Sequence, residues 1–201
     1  MSKELGQFFT INEGLQQYVF DHVEHKGAQL LEPSFGSGHL LKKFLESDAD
    51  YPMECYEIDS SIKPCINFND NQRIVYGDFM SHEFDKKFKT IIGNPPYVKQ
   101  SKGNLYIQFI EKCYHLLDDD GEFIFIVPSD FIKLTSASKI ITEMIRTGSF
   151  THFHFPNDEK LFDSASVDVV VFRYQRGVCQ DIVNVGGDLK YCNVIDGILT
   201  L

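Results

Sequence analysis

The apolar positions of this chain switch repeatedly between short continuous runs and segments of helical period. Ile11, Leu15, Val19 and Val23 recur every four residues, which predicts a helix with one buried face. Thr10 followed by Glu13 reads as the capping box that opens it, and Gly27 as its stop. A short run at 28–31 feeds the loop Glu32-Pro33-Ser34-Phe35-Gly36-Ser37-Gly38, and a helical segment then extends to about Glu46. Strands are expected at about 53–58, 72–76, 89–93 and 121–127, with helices at about 61–68 and 104–117. The second of these helices carries Leu105, Phe109, Cys113 and Leu116 on one face. The run 121–127 is apolar at almost every position, as in a strand covered on both faces. A helix near 136–147 and strands near 149–155 and 167–174 complete the series. Strands alternating with helices predict an α/β fold, a mostly parallel, doubly wound, Rossmann-like sheet of seven strands with helices on both faces. From Gly177 the pattern breaks into short pieces, so a domain over 1–176 and an extension over 177–201 are expected. An apolar end, Ile198-Leu199-Thr200-Leu201, is unusual for a terminus that frays in solvent. It suggests the N-terminal part of a longer protein, an expectation that a stop codon directly after Leu201 would sink.

Composition narrows the setting. With 201 residues, 43% hydrophobic and 24% charged, the chain suits one domain with a proper core. No apolar run approaches the roughly 20 residues needed to cross a bilayer, and Met1-Ser2-Lys3-Glu4 lacks a signal-peptide core, so no membrane partner and a cytoplasmic location are expected. Five scattered cysteines fit reduced thiols. The net charge of −10 matters more, because a protein that binds duplex DNA by itself usually offers a basic surface.

Candidate chemistry begins at the end of the run Thr90-Ile91-Ile92-Gly93, where Asn94-Pro95-Pro96-Tyr97 follows. Two consecutive prolines cannot continue a ladder or lie inside a helix, so they lock a rigid turn that displays an amide beside an aromatic ring. Such a turn suits a flat, hydrogen-bonding acceptor that carries an amino group. Upstream, Gly36 and Gly38 sit between a strand and a helix, where backbone can approach a cofactor closely; taken alone, a tight turn explains them equally well. Glu57 and Ile58 end the next strand, and Glu57 lies at the spacing of about 20 residues from which a carboxylate accepts ribose hydroxyls. Asp78 and Phe79 end the third, suited to an adenine amino group and the face of its ring, although a turn Asp beside a core Phe would look the same. All of these lie at the carboxyl edge of successive strands, where open α/β sheets bind ligands. No Gly-Lys-Ser/Thr motif is present, so the expected cofactor is a nucleoside without phosphates, for which S-adenosylmethionine is suitable. His152 and His154 share a strand face without a third ligand, and no metal site is expected.

Taken as a set, these motifs resemble the adenine-specific amino-group DNA methyltransferases of restriction–modification systems. Leu5-Gly6-Gln7-Phe8-Phe9-Thr10 resembles their N-terminal cofactor motif, Leu31-Glu32-Pro33 with Gly36 and Gly38 their cofactor loop, and Asn94-Pro95-Pro96-Tyr97 their catalytic tetrapeptide. Asn104-Leu105-Tyr106 to Val127-Pro128 resembles the helix and strand that follow, and Leu161-Phe162 with 167–173 the late segment that supplies a second aromatic. The resemblance implies S-adenosylmethionine as cofactor and double-stranded DNA as partner, with a DNA-recognition domain or subunit outside this chain. It implies that Thr10 and Glu32 serve the methionine portion, Glu57 the ribose, and Asp78 with Phe79 the adenine. Asn94, implied as a cofactor-binding residue too, and the Pro95 carbonyl would accept hydrogens from the target amine, and Tyr97 and Phe162 would stack on a flipped base. Asn94 to Tyr97 alone leaves a protein glutamine or an RNA base open as acceptor, and an inactive cofactor-binding subunit is the rival from another class.

Overall fold

A computed structural model describes residues 9–101, 103–156 and 167–201. Helix α1 (Glu13–Asp21) precedes β1 (Leu30–Glu32); α2 (Lys42–Glu46) and β2 (Met53–Glu57) follow, then β3 (Gln72–Tyr76) and β4 (Phe88–Gly93). A two-stranded hairpin of β5 (Lys99–Gln100) and β6 (Gly103–Asn104) leads into α3 (Leu105–Leu116) and the long strand β7 (Leu117–Pro128). Next come α4 (Ser138–Thr147), β8 (Gly148–His154) and β9 (Val169–Arg176), and finally β10 (Ile182–Val185), β11 (Asp188–Tyr191), β12 (Asn193–Ile195) and β13 (Ile198–Thr200).

One sheet dominates, with the order β11-β10-β8-β9-β7-β4-β1-β2-β3. Strands β3, β2, β1, β4 and β7 run parallel, whereas β9 is antiparallel to both neighbours, β7 and β8. The seven expected strands are present, and β10 and β11 widen the sheet to nine beyond β8. They escape the apolar pattern because Asp188–Tyr191 is an exposed edge with no buried position.

Alternation along the strands divides the core into two layers. On one side Phe123, Phe125 and Val127 pack with α3 and α4; on the other Ile124 and Ile126 pack with Leu15, Val19 and Val23 and with Phe44. The continuous apolar run of β7 therefore does what the sequence predicts, filling both layers at once.

Three local expectations need correction. The residue that caps α1 is Asn12, whose Oδ1 accepts from the Leu15 amide at 2.9 Å, because Thr10 is buried and engaged elsewhere. The helix then ends at Asp21, well before Gly27. Residues 61–68 form no helix. Pro64 interrupts the segment, Asp59 draws the Ser61 amide and hydroxyl into a turn, and the Cys65 amide donates to the Ser37 carbonyl. Ile66 and Phe68 pack beneath the glycine loop instead. Strand β7 starts directly after α3, and residues 118–121 bulge between the pairings Phe88↔Leu117 and Thr90↔Glu122. No helix among the described residues is long and apolar enough to cross a membrane.

Candidate active site

Because β1 to β4 are parallel, their carboxyl ends meet at one edge, and a cleft of about 290 Å³ opens there. Gly36, Glu57, Ile58, Asp78, Phe79 and Asn94 line it. A smaller pocket beside it is lined by Thr10 and Glu32, and shares Phe9, Ser34, Gly36 and Asn94 with the cleft. The structure thus gathers residues from four separate strand ends around one cavity. Gly38, Pro95 and Tyr97 do not line either pocket, and Phe162, like 5–8 of the N-terminal motif, lies outside the described residues.

The glycines of the loop are required by close approach. Gly36 and Gly38 have φ of 57° and 87°, and a Cβ would come within 2.9 Å of the Phe9 ring at the first and 2.5 Å of the Phe35 ring at the second. Glu57 braces this loop: Oε2 accepts from the Gly36 amide at 2.7 Å and Oε1 from the Asp59 amide at 2.8 Å. Burial raises its pKa, partly offset by those amides.

Glu32 is 2% exposed at the end of β1, where Oε1 accepts from the Ser34 amide and hydroxyl at 3.0 and 3.2 Å. Desolvation pushes its pKa up to about 8, against the Ser34 hydrogen bonds and with a smaller push from Glu57. Asp78 is exposed and caps the turn Phe79–Ser81 through its Oδ1, which takes the Met80 amide at 2.9 Å. Phe79 is 2% exposed and stacks on Phe109 with ring centroids 5.3 Å apart, so it is a core residue whose edge reaches the cleft. Ile58, by contrast, is 56% exposed, an apolar side chain in the cleft wall.

The proline-locked turn is held by its own side chains. Asn94 Nδ2 donates to Thr10 Oγ1 at 3.1 Å, and the Tyr97 hydroxyl lies 2.6 Å from Asn94 Oδ1 and 3.0 Å from the Ile126 carbonyl. Burial and then Tyr106 raise the Tyr97 pKa well above the ordinary phenol value. Gln16, buried on α1, donates to the Thr10 carbonyl at 2.7 Å. The N-terminal segment and the tetrapeptide, 84 residues apart, therefore form one hydrogen-bonded unit.

Helix α3 contributes what the sequence reading missed. Leu105, Gln108 and Phe109 line the cleft. One turn on, Lys112 Nζ donates to the carbonyls of Phe79, Met80 and His82 at 2.6, 3.0 and 2.6 Å. The available signal was two polar residues, Gln108 and Lys112, four apart beside the apolar stripe of α3. Among the described residues no Lys, Arg or His lines the cleft, which suits a ligand without phosphates.

A parallel sheet closed by an antiparallel strand, with a ligand-sized cleft at its carboxyl edge, defines a Rossmann-like methyltransferase fold. In fold the chain is similar to a Listeria monocytogenes protein assigned to the class I S-adenosylmethionine-dependent methyltransferases. The TM-score is 0.71 at 12% identity, over 88% of this chain and 64% of that one. Residues 40–162 match the Eco57I restriction-modification methylase family, and the chain belongs to that family. It is 30% identical over 204 residues to the type II methyltransferase M.HincII of Haemophilus influenzae, covering 90% of this chain and 39% of that protein. It is also 36% identical over 104 residues to ribosomal RNA small subunit methyltransferase A of Mesomycoplasma hyopneumoniae, covering 50% of this chain and 39% of that enzyme. The chain thus spans well under half the length of these relatives.

Proposed function

We propose that this chain carries the catalytic centre for transfer of a methyl group from S-adenosylmethionine to the exocyclic amine of adenine in DNA, within a restriction–modification system. The observation that carries the reading is the position of Asn94. It ends the proline-locked turn and forms the wall shared by the cleft and the inner pocket, so a nucleoside cofactor and an acceptor amine can both reach it.

The residues fit the cofactor. Glu57 and Asp78 offer acceptors without a phosphate-binding cation, and a Cβ added at Gly77 in the cleft wall would meet no atom within 4 Å. Glu57 would hold the ribose hydroxyls, Asp78 the adenine amino group, and Thr10 with Glu32 the methionine portion. When bound, S-adenosylmethionine supplies an electrophilic methyl group on a sulfonium.

Adenine's amine is a poor nucleophile because its lone pair is delocalised into the ring. The Asn94 side-chain oxygen and the Pro95 carbonyl accept its two hydrogens, which favours a tetrahedral nitrogen with a localised pair. No strong base is needed before attack, and the proton leaves afterwards. The Tyr97 hydroxyl can give up Asn94 Oδ1 to the amine without becoming unsatisfied, since the Ile126 carbonyl lies 3.0 Å away. Within a duplex the amine is inaccessible, so the base rotates out, with Tyr97 and Phe162 as the rings that stack on it. The charge of −10 supports a basic, sequence-reading surface supplied by a recognition domain or subunit other than residues 1–201, with 177–201 as an extension of the catalytic domain.

Incubation with methyl-labelled S-adenosylmethionine and, in parallel, DNA, RNA and protein tests the assignment. Label recovered as N6-methyladenine in DNA is the expected result. The ribosomal RNA methyltransferase relative favours a second reading, in which label appears in RNA alone. Label confined to protein would overturn both.

Glu32 gives a linked prediction. Its pKa of about 8 means that it is mostly protonated at neutral pH in the free protein. A cationic methionine group placed beside it lowers that pKa, so binding releases a proton, and affinity rises with pH from about 6.5 to about 8. Calorimetry with S-adenosylmethionine in buffers of different ionisation enthalpy should show release of up to about one proton at pH about 7, and Glu32→Gln should abolish it. Equal proton release in the variant would dissociate Glu32 from the methionine site.

A further inference from the structure

Four buried side-chain atoms among the described residues have no hydrogen-bond partner: Gln16 Oε1, Tyr51 OH, Gln108 Nε2 and Arg176 Nε. Only Gln108 of these four also lines the cleft. A buried amide nitrogen with two unused N–H donors is costly, and native proteins retain such groups where a ligand completes them. Its surroundings define that ligand. Leu105, Gln108, Phe109 and Lys112 lie at i, i+3, i+4 and i+7 of α3, one helix face turned to the loop after β3. Lys112 is already committed to three carbonyls of that loop, which fixes the stretch following Asp78. In the cleft wall the Asp78 carboxylate is an acceptor and the Gln108 amide an unspent donor, with the apolar surfaces of Ile58, Phe79 and Phe109 in the same wall.

We propose that Gln108 is a specificity residue for the cofactor base, its Nε2 donating to a ring nitrogen of adenine while Asp78 accepts from the exocyclic amine. An aminopurine has this alternation, with an exocyclic donor next to ring-nitrogen acceptors, and a glutamine or asparagine amide reads it by the same logic in nucleic-acid recognition. A 6-oxo purine reverses it: the oxygen at position 6 would face the Asp78 carboxylate, acceptor against acceptor. Gln108 and Asp78 together thus select adenosyl over inosyl or guanosyl compounds. Leucine at 108 would keep the bulk and lose the donor, whereas glutamate would keep the shape and replace the donor by an acceptor.

The inference rests on the proposed cofactor reading, and equilibrium binding separates the two. The probes are S-adenosylhomocysteine, its 1-deaza, 3-deaza and 7-deaza analogues, and S-inosylhomocysteine, titrated calorimetrically without any acceptor substrate. The native protein should bind S-adenosylhomocysteine, and Gln108→Leu should weaken binding about tenfold. One deaza analogue should lose a similar factor against the native protein and nothing further against Gln108→Leu, and the preference over the inosyl compound should shrink in the variant. Gln108→Glu, close in shape, gives an independent reading if the leucine variant unfolds, and should lose at least as much. If both variants bind as the native protein does, or every deaza analogue loses equally in native and variant proteins, the role of Gln108 is overturned while the cofactor reading stands. If the native protein binds none of the adenosyl probes, both fail.

Discussion

Replacing Asn94 by alanine should reduce methyl transfer by about 10²–10³-fold or more while leaving cofactor affinity within about threefold of the native protein, since removing one preorganised hydrogen-bonding group at a reacting centre typically costs that much in rate. In the proposed mechanism the side chain meets the reacting amine through Oδ1, and its hydrogen bonds include one from Nδ2 to Thr10 Oγ1 and one received from Tyr97. Neither is a core contact, and the turn itself is fixed by Pro95 and Pro96, so the melting temperature should fall by only a few degrees. Asn94→Asp separates geometry from charge. It retains an acceptor for the amine, and Thr10 can reverse its hydrogen bond and donate, so activity should exceed that of the alanine variant. Single-turnover rates with saturating cofactor, alongside calorimetric binding of S-adenosylhomocysteine, would check both. An alanine variant within tenfold of the native rate would remove Asn94 from the chemistry.

The contrast between what the chain reveals and what it conceals has a physical basis. Glu57, Asp78 and Asn94 were legible because parallel strands deliver their carboxyl ends to one edge, so position along the chain already implies position in space. The run Phe123-Ile124-Phe125-Ile126-Val127 was legible for the opposite reason, since burial on both faces erases alternation. Thr10 was misread as a cap because capping is judged locally, whereas its hydroxyl is held by Asn94, 84 residues away. The helix expected at 61–68 failed similarly: Ile62 and Ile66 have helical spacing, but Pro64 and the Asp59 turn decide the backbone. Gln108 and Lys112 were hidden because their partners lie on another element: Lys112 meets carbonyls some 30 residues upstream, and Gln108 meets a cavity. Edge strand β11 and its neighbour β10 left no pattern because little of them is buried. Placement that depends on strand order can be read from sequence, whereas placement that depends on which helix face meets which loop cannot.

The second large effect lies away from the cleft, towards the amino ends of the same strands. Glu122 on β7 is 0% exposed and Arg173 on β9 is 2% exposed, and they meet at 3.0 Å. Glu122 also accepts from the amides of Glu24 and His25 and from Thr90 Oγ1, while Arg173 donates to the His22 carbonyl, to Thr151 and to Gln175. This cluster fastens the segment between α1 and β1 to the sheet, and α1 in turn holds Thr10 through Gln16. Replacing Arg173 by methionine leaves a buried carboxylate without its countercharge, a change that typically costs about 3–5 kcal/mol. In a chain of this size the melting temperature should fall by roughly 6–20 °C. Adding Glu122→Gln removes the orphaned charge yet keeps an oxygen for the amides of Glu24 and His25, so the double variant should regain part of the loss. Thermal unfolding of the four proteins in the cycle measures the coupling directly. If Arg173→Met melts within a degree or two of the native protein, the clasp is decorative, and α1 must be held by the apolar contacts of Leu15, Val19 and, just past its end, Val23.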